Sequence, residues 1–370
     1  MMKLRVNSAT LSLLAIATLC ACAFYFSIYS APHILHGMSA TEIFNQEQRH
    51  VFTDELKNAS YGTRKTSPRG SSNTAQGRRP YREEDLVPVA MDIFRKRGLV
   101  LFTFINDAYL EFAVSWLCNT EPMADIHQHV LFVVTDLRSA DRLQKAWPDI
   151  SVVALNASRY SGNQTYSRAG YVRIMVERTR YLHHLLQSGV RLLLFEVDCV
   201  WLSNPLPFLL DQQTLEAVVE ADIVATRVGN RTAGGFLLLS PTQSTLRLWG
   251  ELTRLMDRLY EQLKNQLDSA LISWELNDQE FLAALIKERF GGIEVFHLPV
   301  ELFPDGNWYS KPAKEWKAEP LPVIINNNFI AGNAAKKKRA KAFGHWFLKS
   351  ASDPSLAVCN TTAVHAVLHP

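Results

Sequence analysis

Short apolar runs alternate with helical patterns through the middle of the chain, and this alternation limits the possible folds more than any other feature. Each run carries apolar residues at consecutive positions, which is typical of strands buried on both faces of a parallel sheet. Helical spacing at 109–118 and 171–189 separates them. The order predicts an α/β fold in which helices flank a Rossmann-like, mostly parallel sheet. The runs are GLVLFTFIN (98–106), HVLFVVTD (129–136), ISVVALN (150–156), RLLLFEVD (191–198) and ADIVATRV (221–228).

The C-terminal third continues this pattern less regularly. GGFLLLSP (234–241) predicts a strand, and residues 242–267 and 277–292 predict helices. Asn277 stands where a helix N-cap is expected, and acidic residues follow it in the first turn. A hydrophobic content of 47% in 370 residues is enough to build one large domain.

The first thirty residues predict where the chain is located. Lys3 and Arg5 precede an uncharged run at 9–29, which is long enough to cross a bilayer as a helix. A cleaved signal peptide is the alternative, but the YSAP segment (29–32) has tyrosine and proline where cleavage requires small residues. We therefore expect the retained anchor of a single-pass type II membrane protein, with residues 1–8 in the cytosol.

Residues 30–97 are expected to form a largely disordered stem, followed by a lumenal domain at 98–370. The segment 57–85 is rich in Ser, Gly, Pro, Arg and Asn and has few large apolar residues. Such a segment cannot bury enough surface to offset its ordering entropy. The net charge of the whole chain is only +3, and much of the basic excess lies in residues 64–82, so no nucleic-acid partner is expected.

Glycosylation sequons and the cysteine content fit a protein of the secretory pathway. Outside the expected anchor the chain has only Cys118, Cys199 and Cys359, which allow one intrachain disulfide and leave one thiol. Their spacing does not decide which two are paired. The sequons begin at Asn58, Asn156, Asn163, Asn230 and Asn360.

Two carboxylates stand at the end of the fourth apolar run, in the segment LLLFEVDCVWLSNP. Glu196 and Asp198 are one residue apart, so their side chains share a face if the strand continues through them. Like charges this close require a compensating partner. One solution is Mg²⁺ or Mn²⁺ with a diphosphate, since these cations prefer oxygen ligands. The other is a set of nearby Arg, Asn or backbone donors.

This segment resembles the D-x-D segment of nucleotide-diphospho-sugar transferases of the glycosyltransferase family 77 type, which include plant cell-wall xylosyltransferases. The similarity extends over roughly residues 98–348, with further segments in family order. It implies the GT-A fold, a UDP-sugar or similar nucleoside-diphosphate sugar donor, a glycan or glycoprotein acceptor and a Golgi membrane location. These further segments are FINDAYLEFAVSWLC (104–118), GGFLLLSPT (234–242), NDQEFL (277–282), LPVELFPDGNWY (298–309) and NNNFIAGNAAKKKRAKAFGHW (326–346).

The resemblance also assigns roles to single residues. It places Asp278 and Gln279 next to the transferred sugar, and it makes Arg178, Gly235 and Lys336 donor-binding positions. The residue types alone leave simpler roles open. Asp278 and Gln279 also suit the first turn of a capped helix, and the two basic residues also suit solvated helix faces.

The implied metal site departs from the family pattern at two positions. By resemblance Asp198 is a ligand of Mn²⁺ or Mg²⁺ and Glu196 binds the metal or the ribose, but the family usually has Asp at position 196. Asn326 stands where the family usually has a third ligand, His, and an amide oxygen binds Mn²⁺ more weakly than imidazole does. The TAGGF segment (232–236) also lacks an Asn that the family often has. A lumenal glycan- or nucleotide-binding relative without catalysis is therefore the alternative hypothesis.

The remaining polar candidates are less specific. Thr103 and Asp136 end predicted strands, where they could contact the base or ribose or simply cap the strand ends. His183 and His184 lie in the middle of a predicted helix and are not expected to bind metal. No Ser or Cys triad spacing and no second His/Asp cluster is present, which disfavours a metal phosphohydrolase. We expect a metal-assisted transferase, and the resemblance implies retention of the anomeric configuration.

Overall fold

An eight-stranded mixed sheet runs through the centre of the fold. The structure is a computed structural model that describes residues 79–155, 157–210, 220–312, 320–349 and 358–369. All the strands named below except β6 and β10 belong to this sheet. The strands are β1 (Tyr81–Arg82), β2 (Val100–Ile105), β3 (Val130–Val134), β4 (Ser151–Ala154), β5 (Leu192–Phe195), β6 (Val200–Trp201), β7 (Ile223–Val228), β8 (Arg231–Leu239), β9 (Val295–His297) and β10 (Ile324–Ile325).

The strand order is β1-β4-β3-β2-β5-β8-β7-β9. The first five strands in this order are parallel to one another. β8 is antiparallel to its neighbours β5 and β7, and β9 is parallel to β7. The predicted mostly parallel sheet is therefore confirmed. Phe195 pairs with Phe236 across the β5–β8 ladder, so Gly235 lies beside Glu196.

The helices predicted from the sequence are all present, with small shifts in their ends. Gly189 has a φ of +79°, a left-handed conformation that glycine commonly supplies just after a helix, here the one that ends at Gln187. The described helices of five or more residues that the structure assigns as α are α1 (Leu86–Arg97), α2 (Leu110–Thr120), α3 (Leu137–Ala146), α4 (Ala169–Gln187), α5 (Leu206–Leu210), α6 (Gln243–Leu263), α7 (Asp278–Lys287), α8 (Asn333–Ala342) and α9 (Thr361–Leu368).

Helices cover both faces of the sheet, which is why its strands are apolar at consecutive positions. Leu192 and Leu194 belong to a buried cluster that also includes residues of α1, α4, α6 and α7. Phe195 belongs to the opposite face, where its ring centroid lies 4.5 Å from that of Trp116 in α2 and 5.7 Å from that of Trp201. The strand that carries the acidic pair is thus fixed from both sides.

A second, two-stranded sheet was not predicted. β6 pairs with β10 in antiparallel register, with Val200 opposite Ile325. Asn119 fixes this sheet, because its side-chain amide donates to the carbonyl of Trp201 and accepts from the amide of the same residue. The pairing brings Asn326 next to the turn that contains Asp198, although the two residues are far apart in the sequence.

A disulfide joins Cys118 in α2 to Cys359, just before α9. Among the cysteines that the structure describes, Cys199 is the free thiol, and it is buried. This pairing closes the chain over 241 residues, and it settles the choice that the spacing of the cysteines left open.

The folded part of the chain begins earlier than the expected domain start at residue 98. β1 pairs in parallel with β4, and α1 buries Leu86, Val89, Ala90 and Ile93 in the core. The end of the expected stem, residues 81–97, was therefore wrongly grouped with the polar segment before it. The helical spacing of its apolar residues is a sequence signal for a packed helix, and this grouping overlooked it.

The predicted anchor at 9–29 and the sequons at Asn58 and Asn156 lie outside the described residues. Within the ranges that the structure covers, no helix has the length and hydropathy needed to cross a bilayer. Asn163 and Asn230 are exposed, and Asn360 accepts a hydrogen bond from the amide of Ala363 as the N-cap of α9.

Candidate active site

A cavity of about 570 Å³ opens at the carboxyl ends of β2 and β5. β5 ends at Phe195, so Glu196 and Asp198 lie in the turn that follows it. This is the edge where α/β sheets bind ligands. The structure brings most of the predicted site residues to this cavity, namely Thr103, Arg178, Glu196, Asp198, Gly235, Gln279, Asn326 and Lys336.

Asp198 is paired with Lys336. The Lys336 Nζ donates to Asp198 Oδ2 at 2.5 Å, and the Asp198 side chain is only 1% exposed. Burial alone would lower the pKa of Lys336, but the neighbouring Asp198, Tyr109 and Glu196 outweigh it and raise this pKa. Lys336 lies in the first turn of α8, and its side chain is only 16% exposed, so it is a cation of the site rather than part of a solvated basic face.

Arg178 joins the other two carboxylates of the site. Its Nη2 donates to Asp278 Oδ2 at 2.5 Å, and its Nη1 donates to Glu196 Oε1 at 3.4 Å. Arg178 projects from α4 and is buried, so it is not a solvated helix charge. Burial raises the pKa of Glu196, and repulsion from Asp198 raises it further, while Arg178 and Lys336 oppose this shift.

The first turn of α7 is fixed to β8 next to the acidic pair. Gln279 Oε1 accepts a hydrogen bond from the amide of Gly234 at 3.1 Å. A Cβ atom on Gly235 would lie 2.7 Å from Glu196 Oε2, so only glycine leaves room for this carboxylate. Among the described residues, Gln279 lines the large cavity and Asp278 does not. Asp278 instead accepts a hydrogen bond from Arg178 at a position outside the cavity lining.

Two buried oxygens of the site have no hydrogen-bond partner among the described residues. They are Asp198 Oδ1 and Asn326 Oδ1, and both residues line the cavity. Unpartnered buried oxygens are costly unless a cation or a donor satisfies them, and a hard divalent cation accepts carboxylate and amide oxygens as ligands. The residues present therefore fit Mn²⁺ or Mg²⁺. No group of three or more His, Cys, Asp or Glu side chains with metal-binding geometry occurs in the described ranges, so a ligand would have to complete the coordination.

Asp136 is the second predicted site residue, after Asp278, that does not line the cavity. Its Oδ1 accepts a hydrogen bond from the amide of Ser139 at 2.8 Å, which makes it the N-cap of α3. Thr103 differs, because it is buried and lines the cavity near the end of β2. The sequence pattern alone does not separate these two roles, since both residues come near the ends of parallel strands.

Sequence reasoning missed two cavity residues that follow β2. Asn106 donates through Nδ2 to the carbonyls of Tyr160 and Gly162, both at 2.8 Å, and so holds the neighbouring loop. Tyr109 packs against Lys336, and burial raises its pKa to about 12. Asn106 directly follows β2 as Glu196 follows β5, so the same strand-end pattern predicts it, but nothing in the sequence pairs Tyr109 with Lys336.

The segment 326–346 contributes one wall of the cavity, and the segment 298–309 packs against it from outside the cavity lining. The amide of Gly306 donates to Asn328 Oδ1 at 2.6 Å, and Arg339 of α8 donates to Asn327 Oδ1 and to the carbonyl of Asn328. A Cβ atom on Gly306 would lie 2.1 Å from the Asn328 carbonyl oxygen, so the close approach requires glycine. These contacts fix the loop that carries Asn326.

Residues 125–340, more than half of the chain, match the family model of the nucleotide-diphospho-sugar transferases. The chain belongs to this family. Nine of the ten predicted site residues of this transferase fall inside the matched region, and only Thr103 lies before it. The enzyme class follows from the family, and the transferase is a glycosyltransferase.

Named relatives agree with this class. The transferase is 24% identical over 263 residues to UDP-D-xylose:L-fucose alpha-1,3-D-xylosyltransferase 1 of Arabidopsis thaliana, covering 68% of this chain and 72% of that protein. It is 22% identical over 200 residues to UDP-galactose:fucoside alpha-3-galactosyltransferase of Dictyostelium discoideum, covering 52% of this chain and 31% of that protein. A solved structure of the galactosyltransferase LgtC matches with a TM-score of 0.39 and 11% identity, covering 68% of this chain and 97% of that chain.

Proposed function

We propose that the chain is a retaining, metal-assisted glycosyltransferase of GT-A type that moves a sugar from a UDP donor to a glycan or glycoprotein acceptor. The observation that carries this proposal is that two cations largely withdrawn from solvent, Arg178 and Lys336, meet the acidic pair in one cavity. Transfer from a nucleoside-diphosphate sugar releases an anionic diphosphate, and fixed positive charge stabilises such a leaving group as it departs.

Both cations have donors to spare for a diphosphate. Arg178 has five N–H groups and donates one to each of two carboxylates. Lys336 has three N–H groups and donates one of them to Asp198. Asp278 and Asp198 hold these cations in place, so neither has to reorganise when the donor binds. The side-chain oxygen of Gln279 accepts a hydrogen bond from the amide of Gly234. The side-chain NH₂ group of Gln279 is therefore available to donate to a sugar hydroxyl.

Asp198 and Asn326, with Glu196 beside them, are the residues that would hold Mn²⁺ or Mg²⁺ in this site. When bound, such an ion neutralises charge on the leaving diphosphate. The protein residues bind and orient the donor, with Thr103 and Asn106 on the side of the cavity formed by β2.

A fucose-bearing glycan is the acceptor that we propose first. The Arabidopsis and Dictyostelium relatives have different donors in their names, xylose and galactose, but both names contain fucose or fucoside as acceptor. Both names also contain an alpha linkage. Sugars of this kind are alpha-linked in UDP donors, so an alpha product supports retention. Proton NMR of the product would test the configuration at the new linkage.

We also propose that residues 1–8 are cytosolic, that residues 9–29 anchor the enzyme in the Golgi membrane and that the folded domain is lumenal. The Cys118–Cys359 disulfide supports this location, because disulfides persist in oxidising compartments. Glycan attachment at the exposed Asn163 or Asn230, detected by mass spectrometry before and after enzymatic deglycosylation, would support it further. Absence of any glycan on protein expressed in its own type of cell would contradict it.

A donor screen tests the proposed activity directly. The purified protein would be incubated with a panel of UDP-sugars and Mn²⁺, with and without methyl α-L-fucoside, while UDP release is measured. We expect one donor to be consumed, and Asp198→Asn to lower the rate about 100-fold. Asp141→Asn is the control, because Asp141 forms an exposed ion pair with Lys145 on α3.

The same screen separates catalysis from binding alone. If UDP raises the Tm in the presence of Mn²⁺ but no donor is consumed, the chain is the non-catalytic binding relative and the proposed activity is wrong. If Asp198→Asn leaves both the rate and the UDP-induced shift intact, the placement of the donor at this cavity is wrong.

A further inference from the structure

Within the described residues, three exposed aromatic side chains line the cavity, and two of them, Trp274 and Tyr166, are joined through Asn277. Trp274 is 51% exposed and Tyr166 is 48% exposed, and both line the cavity. Large aromatic side chains that remain exposed beside a cavity mark a binding surface, because water contact with the ring is unfavourable until a ligand covers it. Neither residue is one of the charged side chains that we propose bind the diphosphate and the cation.

Both residues are held in place by the start of α7. The Asn277 Nδ2 donates to the hydroxyl of Tyr166 at 3.2 Å and to the carbonyl of Trp274 at 2.5 Å. The Asn277 Oδ1 accepts from the amide of Glu280 and caps the helix. The aromatic pair is thus attached to α7, whose first turn carries Gln279. Gln279 lines the cavity together with the residues that we propose bind the sugar donor.

An ion pair lies next to the aromatic pair. Arg231 Nη1 donates to Glu280 Oε2 at 2.5 Å, and the Arg231 guanidinium carbon lies 5.9 Å from the centre of the Trp274 ring. Both charged residues line the same cavity. Because the two charges compensate each other, they favour a neutral ligand with many hydroxyl groups over a charged one. Carboxylate oxygens accept from hydroxyls, and guanidinium N–H groups donate to them.

We propose that Trp274, Tyr166, Arg231 and Glu280 form the subsite for the acceptor sugar, and this rests on the proposed function. The C–H face of a pyranose packs against the indole ring, and its hydroxyls bond to the ion pair. A 6-deoxy sugar such as fucose adds a methyl group to the apolar part of this contact. The subsite explains how a neutral acceptor is held next to Gln279 without using the groups that bind the diphosphate.

Kinetics with two readouts tests the subsite. UDP release would be measured with water as acceptor and with methyl α-L-fucoside as acceptor, using the donor found in the screen. For Trp274→Ala we expect kcat/KM for the fucoside to fall at least about 20-fold, because the stacking surface is lost, while hydrolysis of the donor changes less than about twofold. Trp274→Phe restores most of the fucoside activity. Leu271→Ala is the control, since Leu271 is 75% exposed nearby but does not line the cavity.

Methyl α-L-galactoside, which has a hydroxyl in place of a hydrogen at C6, tests the methyl contact. We expect the wild-type enzyme to prefer the fucoside by about tenfold and Trp274→Ala to lose this preference. If Trp274→Ala lowers hydrolysis and transfer equally, the ring binds the donor and the proposal is wrong. If it lowers neither, the ring binds no substrate and the proposal is also wrong.

A binding measurement separates this proposal from the proposed function. Saturation-transfer NMR with methyl α-L-fucoside requires no turnover. A signal in the wild-type protein that is lost in Trp274→Ala and kept in Leu271→Ala supports the subsite even if no UDP-sugar is consumed. An absent signal in the wild-type protein in the presence of UDP and Mn²⁺ overturns the subsite even if the donor is hydrolysed.

Discussion

The ammonium group of Lys336 lies 2.5 Å from Oδ2 of Asp198, and this contact joins α8 to the end of β5 across 138 residues. Both side chains are largely withdrawn from solvent, so each compensates a charge that would otherwise be buried alone. The contact also sets the position of α8 relative to the cavity. The positive charge of the site is therefore part of the fold before any donor binds.

Removing Lys336 should destabilise the protein and a divalent cation should restore part of the loss. Lys336→Met leaves Asp198 as a buried carboxylate without its partner, which costs about 3–5 kcal/mol. Mn²⁺ can take over part of the compensation through Asp198, so we expect the Tm of the variant to rise more with Mn²⁺ than that of the wild type. Denaturant unfolding and Tm measurements with and without Mn²⁺ check this.

Lys337→Met is the matched control for this prediction. Lys337 is the next residue of α8, and it pairs with Glu111 at 2.7 Å at a partly exposed position. Such a pair contributes about 1 kcal/mol or less. Equal losses in the two variants would show that Asp198 is compensated by something other than Lys336.

Gly235→Ala should slow the enzyme while leaving it folded. The added methyl group would lie 2.7 Å from Glu196 Oε2, so the carboxylate must move away from Arg178. We expect kcat to fall about 10- to 100-fold, which corresponds to the loss of one charge-assisted contact, and Tm to change little.

Gly250→Ala is the control for the glycine substitution. Gly250 lies inside α6, where a Cβ atom would be 3.5 Å from the ring of His183, an ordinary contact distance. Alanine stabilises a helix interior relative to glycine by about 1 kcal/mol, so this variant should be active and slightly more stable. If Gly235→Ala keeps full activity, the position of Glu196 does not matter for turnover.

Arg178→Lys should separate charge from geometry. A lysine ammonium keeps the positive charge but cannot span Glu196 and Asp278 as the planar guanidinium does. We expect kcat to fall at least about tenfold, measured as UDP release at saturating donor. Arg180→Lys, on the same helix and paired with Asp257 at a more exposed position, should retain activity within about twofold. Unchanged kcat in Arg178→Lys would mean that charge alone is enough.

The location of the site could be predicted from the sequence because it depends on local patterns. The apolar run before Glu196 predicts a buried parallel strand, and parallel strands bind ligands at their carboxyl ends. The partners of the acidic pair could not be predicted, since Lys336 and Asp278 reach it only through long-range packing. The same limit applies to the β6–β10 pairing. Residues 81–97 differ, because the amphipathic pattern of their helix is local and was overlooked beside the polar segment before it.

The Cys118–Cys359 disulfide should stabilise the folded domain. It closes a loop of 241 residues, and loss of a native disulfide typically costs about 2–5 kcal/mol. We expect Cys118→Ser and Cys359→Ser each to lower the free energy of unfolding by an amount in this range. The double variant should lose no more than either single one, because both changes break the same bond. Additive losses, or a peptide linking Cys199 to either residue in non-reducing mass spectrometry, would contradict the pairing.

His345 should make the protein sensitive to acid. It is buried, its Nδ1 lies 3.0 Å from the Tyr309 hydroxyl, and burial lowers its pKa to about 4 from an ordinary value near 6.5. Between these two values the unfolded chain binds a proton that the folded one does not, so stability rises with pH and is lost as the pH falls. This one group should remove about 2 kcal/mol of stability between pH 7 and pH 5.

Two variants isolate this contribution from the other acid-sensitive groups. His345→Asn keeps a hydrogen-bond acceptor near the Tyr309 hydroxyl but cannot take up the proton, so the difference in unfolding free energy between pH 7 and pH 5 should shrink by about 2 kcal/mol. Tyr309→Phe removes the hydroxyl but leaves the imidazole buried, so it should keep the pH dependence of the wild type. Denaturant unfolding at both pH values measures each difference. An unchanged pH dependence in His345→Asn would show that His345 takes up its proton without opposing the fold.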